Sequence, residues 1–240
     1  WPGASDASSW VAGVQNGLVK DDVLREAFGE QRVVGAVTIL GAGRQASGEV
    51  TVSSRGMTYL GEFPEGVSER VNEAVAALRS AEIPAEATRD IQSVLWSKEC
   101  NAVGVFGVSV LTRGAAPVML RNPELLRAYL SLLRECAAVA AASGVQLGDY
   151  AGFPIRTYVE RSDEETLAVA LAQPAPPASA RTGATGLPSM TQDLLAGRPM
   201  EADAVFADMV ARAEKAGVPV PRIEIVRDLI CGLNRTLAAA

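Results

Sequence analysis

Lys98 is the residue of this chain best placed for acid–base chemistry. It follows Trp96-Ser97 in a run from Asp90 to Arg113 with helical spacing, and after Glu99 no charge occurs until Arg113. An ammonium at the mouth of so apolar a segment loses water, which lowers its pKa and eases proton transfer near neutral pH. The other use of a lysine there is to cover the helix with its stem while the ammonium reaches solvent. No imidazole competes for the role, because the 240 residues include no histidine. General bases, triads and metal sites built on histidine are thereby excluded. Cys100, Cys136 and Cys231 are odd in number and far apart, with no CxxC pair. They read as buried thiols of a reducing cytoplasm, not as a disulfide framework or a zinc site.

Four other segments carry polar or glycine-rich signals. Gln15-Asn16-Gly17 falls between strand-like and helix-like sequence, a usual place for ligand contacts in α/β sheets, although Asn-Gly also serves as a plain turn. Gly41-Ala42-Gly43-Arg44-Gln45-Ala46 fits the G-x-G-x-x-G/A dinucleotide pattern by letter. The pattern works only where its last small residue opens a helix whose amides hold a pyrophosphate, and here Ser47-Gly48-Glu49-Val50-Thr51-Val52 runs into a strand. A hairpin is expected instead. Ser189-Met190-Thr191-Gln192 has the S-x-x-Q form of a capping box, and Glu201 falls in the first turn expected of the next helix. Local sequence alone gives both an ordinary structural use.

The elements that must position these residues divide into two kinds. Up to about Thr88 the signals are mainly of strands, at Trp10–Gln15, Val33–Leu40, Glu49–Ser53 and Met57–Leu60, with short helices at Asp21–Phe28 and Ser68–Ala81. Beyond Asp90 helical spacing recurs at Asp90–Arg113, Pro123–Ala142, Glu164–Ala172, Met190–Ala196, Ala202–Ala216 and Ile223–Leu237. A proline-rich loop interrupts them at 174–183. The fold class expected is α/β followed by all-α, divided as 1–88 and 89–240. A net charge of −6 and a pI near 4.9, with basic residues scattered, argue against nucleic-acid or anionic-membrane partners. No apolar run reaches the length of a membrane span, and a cytoplasmic location is expected. Ala-rich stretches such as Ala137–Ala142 suit either a core or a homodimer surface.

Taken together, these blocks resemble the 2-dehydropantoate 2-reductases, or ketopantoate reductases. The resemblance rests on Val14-Gln15-Asn16-Gly17-Leu18, Gly35-Ala36-Val37-Thr38 with Gly41-Ala42, Gly48-Glu49-Val50, Leu60-Gly61-Glu62, and Leu95-Trp96-Ser97-Lys98. It continues through Val108-Ser109-Val110-Leu111-Thr112-Arg113, Ser189-Met190-Thr191-Gln192-Asp193, Gly197-Arg198-Pro199-Met200-Glu201-Ala202-Asp203 and Ala216-Gly217-Val218-Pro219-Val220-Pro221. It implies NADPH-dependent reduction of a 2-keto acid, with ketopantoate giving pantoate on the route to coenzyme A. It further implies a Rossmann domain followed by a helical domain of the 6-phosphogluconate-dehydrogenase kind. Lys98 matches the family lysine that gives a proton to the carbonyl oxygen. Asn16 matches an asparagine beside nicotinamide and substrate, Ser189 a substrate-binding serine, and Ala42 a cofactor-contacting position. Glu201 matches a glutamate that helps hold cofactor ribose and substrate.

The chain departs from the family pattern in two places. Pantoate-forming members carry asparagines four and eight residues after the lysine, where this sequence has Ala102 and Phe106, while Asn101 lies about 100° around the helix. The family also opens with a G-x-G-x-x-G βαβ unit, and this sequence enters only near the end of such a domain, so residues 1–88 are expected to be the remnant of an NADP-binding domain and 89–240 the substrate domain. Within the same pattern an opine-type or other hydroxyacid dehydrogenase fits too. A non-catalytic helical binding or dimerisation module is the reading from outside enzymes.

Overall fold

The computed structural model describes residues 9–44, 47–172 and 186–238. Helix α1 (Val19–Phe28) stops at Gly29, whose φ of 85° suits glycine. Strands β1 (Val34–Arg44) and β2 (Val50–Glu62) pair antiparallel, and β3 (Ala85–Ala87) adds to β2 in parallel after helix α2 (Glu69–Ser80). Ser68 caps α2 by accepting from the Val71 amide. The Gly41-Ala42-Gly43 segment therefore lies inside a strand, in the hairpin expected for it.

All four strand expectations need correction. Val33–Leu40 does not end at Gly41 but runs on to Arg44, and Glu49–Ser53 and Met57–Leu60 are one strand, Val50–Glu62. In the sequence Ser54-Arg55-Gly56 reads as the turn joining two strands, yet Gly56 serves a close approach, since a Cβ there would come within 2.6 Å of the Ile39 backbone where the ladder shifts register. Trp10–Gln15 forms no strand beyond a single bridge from Val11 to Val33.

The helical part follows its spacing closely. Helix α3 (Ile91–Thr112) is capped by Asp90, which accepts from the Ser93 amide at 2.9 Å. It is buried nearly all round, as its lack of a polar face requires. Gly35 and Gly61 let the hairpin press onto Ile91 at its start, while Gly104 and Gly107 let helix α5 (Pro123–Ala142) approach from the other side. Short α4 (Ala116–Met119) joins these two helices. A small hairpin, β4 (Asp149–Tyr150) with β5 (Phe153–Pro154), leads into α6 (Ile155–Glu160) and α7 (Asp163–Ala172). This hairpin has no counterpart among the sequence expectations. The loop expected at 174–183 lies outside the described residues.

Helix α8 (Ser189–Leu195) follows, then a π-helical turn at Asp203–Ala207, α9 (Asp208–Ala216) and α10 (Pro221–Ala238). Ala137, Val139 and Ala140 are core, so that part of the Ala-rich stretch is not a surface. Among the described residues, no helix is long and apolar enough to cross a membrane, and no cluster could hold a metal ion.

Candidate functional site

Lys98 lies about two helical turns beyond the point where α3 meets the sheet. Its ammonium does not run out to bulk solvent. Nζ donates to Asn16 Oδ1 at 2.6 Å, and Asn16 Nδ2 donates to Glu201 Oε2 at 2.7 Å. Because an ammonium only donates and a carboxylate only accepts, the asparagine amide is held in one orientation between them. Burial pushes the Lys98 pKa below the ordinary lysine value, and the Lys20 ammonium adds to this while Glu99 and Glu201 oppose it.

Three separate elements build this chain of contacts. Asn16 precedes α1 in a turn that requires Gly17, with φ 89° and an ideal Cβ only 2.5 Å from the Ala204 carbonyl oxygen. The absence of a side chain lets the turn press onto the π-helical segment beside Glu201. A π-turn widens the helix locally and is often found at functional sites. Asn234 fixes the approach to Glu201 by accepting from the Met200 amide at 2.7 Å and donating to its carbonyl at 3.2 Å. Glu201 stands just before the helical turns instead of within the first one.

Lys98, Asn16, Ala42, Ser189 and Glu201 all line one cleft of about 1170 Å³. Its walls come from the end of β1, the Val14–Asn16 turn, α3, the tip of the β4–β5 hairpin, and α8 with the segment after it. Ser189 is the first residue of α8 and makes no capping bond. Its helix is instead tied to α3 by the buried Thr191–Ser109 hydroxyl pair at 2.8 Å, and Gln192 donates to the Leu187 carbonyl. The capping box is thus not formed, and the Ser189 hydroxyl is exposed to the cleft.

The α3 wall beyond Lys98 is formed by Asn101, Ala102, Val105 and Phe106. Asn101 does reach the cleft, and its side-chain oxygen accepts from the Tyr129 hydroxyl at 2.9 Å. The remainder of that wall is apolar. Arg198 also lines the rim, held by Asp193 at 2.7 Å. In the sequence Arg198 belongs to the Gly197-Arg198-Pro199-Met200-Glu201 block, but no role was assigned to it there.

The residues present fit one end of a dinucleotide and not the other. The Asn16 amide and the Glu201 carboxylate are suited to a carboxamide or ribose hydroxyls. Among the described residues the glycine-rich segment that resembles a pyrophosphate loop is strand β1, with no helix N-terminus behind it.

Comparison with known proteins identifies relatives in sequence and fold. Residues 90–234 match the ketopantoate reductase PanE/ApbA C-terminal family, and residues 3–65 match ketopantoate reductase PanE/ApbA. The 2-dehydropantoate 2-reductase of Archaeoglobus fulgidus is 26% identical over 227 residues, which are 95% of this chain and 65% of that protein. The chain therefore spans under two thirds of that relative's length. The crystal structure of 2-dehydropantoate 2-reductase from Methylococcus capsulatus superposes with a TM-score of 0.77 at 28% identity, covering 98% of this chain and 74% of that one. A complex of D-mandelate dehydrogenase with NADH has the same fold, with a TM-score of 0.76 at 18% identity, covering 97% of this chain and 72% of that one. With a family match over more than half of its residues, this chain belongs to the ketopantoate reductase PanE/ApbA family.

Proposed function

We propose that the intact protein reduces a 2-keto acid to a 2-hydroxy acid with NADPH, and that Lys98 is the proton donor. The observation that supports this reading most is the Lys98–Asn16–Glu201 chain in the cleft. NADPH, when bound, supplies a hydride to the carbonyl carbon. Negative charge then develops on the carbonyl oxygen, where a positioned ammonium stabilises it and passes a proton across. Lowered basicity makes Lys98 the better acid for this transfer. Asn16 and Glu201 serve cofactor and substrate, Ala42 offers a close backbone approach to the cofactor, and the Ser189 hydroxyl binds the substrate. In this reading residues 1–88 belong to the cofactor domain and 89–240 to the substrate domain, in a cytoplasmic enzyme. The exposed Ile225, Leu229 and Leu233 on α10 are suited to a homodimer contact.

2-Dehydropantoate is the first substrate to test, since it is the substrate named for the relatives. The apolar wall of Ala102, Val105 and Phe106 favours 2-keto acids whose side chain carries no hydroxyl. The test joins this chain to a G-x-G-x-x-G βαβ unit and follows NADPH consumption with 2-dehydropantoate and a panel of alkyl and aryl 2-keto acids. Turnover is expected on at least one, and Lys98→Met is expected to lower kcat by about 10²–10⁴-fold with the fold retained. A folded protein inactive on the whole panel, or Lys98→Met with near-normal kcat, refutes the reading.

A further inference from the structure

Behind Lys98 lies a second group of buried charges that the reduction does not itself use. Lys20 of α1 and Glu99, the residue after Lys98 on α3, both reach a cavity of about 10 Å³ that Lys98 and Gln15 also line. That is the size of one water molecule, and four of the residues that line it, Gln15, Lys20, Lys98 and Glu99, carry polar side chains that could hold one. Glu99 is only 3% exposed, and its Oε1 has no hydrogen-bond partner among the described residues. An orphaned buried carboxyl oxygen is costly unless a donor reaches it. Lys20 is equally confined, its Nζ 2.7 Å from Asp21 Oδ2 with side chains 8% and 3% exposed.

We propose that Glu99 and Lys20 are positioning residues for Lys98, with Glu99 returning a proton to the Lys98 amine through a water held in this cavity. The proposal rests on the reading of Lys98 as proton donor. Each turnover breaks a Lys98 N–H bond as the proton passes to the product oxygen, leaving a neutral amine. That amine takes a proton from the water while the water takes one from the Glu99 carboxyl. Glu99 is left as a carboxylate between the Lys98 ammonium and the Gly17 amide, and regains its proton from solvent. Lys20 keeps the ammonium of Lys98 from becoming too stable to give its proton up.

The surroundings agree with these roles. Burial raises the Glu99 pKa to about 8, Asp208 adds to this, and Lys98, Arg212 and the Gly17 amide oppose it. An acid is therefore at hand near neutral pH. Lys20 is lowered by burial and by Arg25, against Asp21 and Glu99. Arg212 is itself held by Asp208 and Asp22, so it is not free to pair with Glu99.

The chain has three lysines, Lys20, Lys98 and Lys215, so [ε-¹³C]lysine labelling gives three side-chain resonances that read each amine against pH. Glu99→Gln is expected to move the Lys98 midpoint down and Lys20→Met to move it up, each by about one pH unit. Lys20→Arg, which keeps the charge, should leave it near the wild-type value. Unchanged midpoints, or shifts of the opposite sign, overturn the proposal. If a variant does not fold, the wild-type curve decides: two steps, as coupled groups give, support it, and a single step overturns it. The titration needs no turnover, so a failed reductase assay and a failed titration refute different statements.

Discussion

Gly17→Ala tests whether the joint between the Asn16 turn and the π-helical segment holds the site together. The new Cβ would lie 2.5 Å from the Ala204 carbonyl oxygen and 3.1 Å from its carbon, where 3.4 Å is an ordinary contact. The two backbones must therefore part by about 0.9 Å, which takes the 2.7 Å Asn16–Glu201 contact to roughly 3.6 Å, outside hydrogen bonding. Backbone strain at positive φ adds roughly 1 kcal/mol, and the exposed hydrogen bond, whose acceptor is a carboxylate, adds up to about another 1 kcal/mol. A loss of about 2 kcal/mol corresponds to a fall in Tm of roughly 4–8 °C for a chain of this size. Gly217→Ala is the internal control, because Gly217 is left-handed with φ 68° yet nothing lies within 4 Å of an added Cβ. It keeps the positive-φ strain and has no collision. Thermal denaturation of both variants, with kcat measured in the intact protein, should show Gly17→Ala losing more stability than Gly217→Ala and most of its activity. Equal losses from the two substitutions would refute the reasoning.

Two further outcomes follow from the same cleft. Folded Glu99 keeps its proton up to about pH 8, whereas an unfolded glutamate releases it near 4.5; between those values the folded chain binds more protons, so this group's contribution to stability falls as pH rises. Glu99→Gln removes that slope, and urea unfolding from pH 5 to 8 should show the variant gaining on the wild type. A constant difference across that range would rule the linkage out. Ala102→Asn places an amide on the apolar wall, and the kcat/KM ratio for 2-dehydropantoate over its analogue lacking the hydroxyl should rise by about 10-fold or more. An unchanged ratio would show that Ala102 does not meet the substrate side chain.

Legibility in the sequence tracked the range of the forces involved. Helices α3 and α5 were readable to within a residue, because their starts depend on the local caps Asp90 and Asn122 and their lengths on uninterrupted apolar spacing. Strand ends were not, since the β1–β2 ladder continues wherever a partner exists, and Gly56 serves a close approach to Ile39 instead of a turn. Trp10–Gln15 has strand composition but finds only one bridge. Ser189 misled in another way: the helix begins on it and not after it, so the hydroxyl expected to cap is free to face the cleft.

The candidate site shows the same division more sharply. Lys98, Asn16, Ala42, Ser189 and Glu201 were singled out as candidates because each lies in a block with a recognisable order, and the fold brings all five to one cleft. Glu99 had no such block. On the sequence it is one more acid beside a lysine, a pair that on most helices is solvated and does nothing. Its raised pKa comes from burial, with Asp208 on α9 adding to it, and two of the groups that oppose it, the Gly17 amide and Arg212, are likewise remote in the chain. A sequence displays which residues carry charge, whereas the pKa of a carboxyl depends on which of its neighbours take its water away. For Lys98 both kinds of information are needed, because its place on α3 makes it a candidate acid and the role proposed for Glu99 depends on what the fold buries beside it.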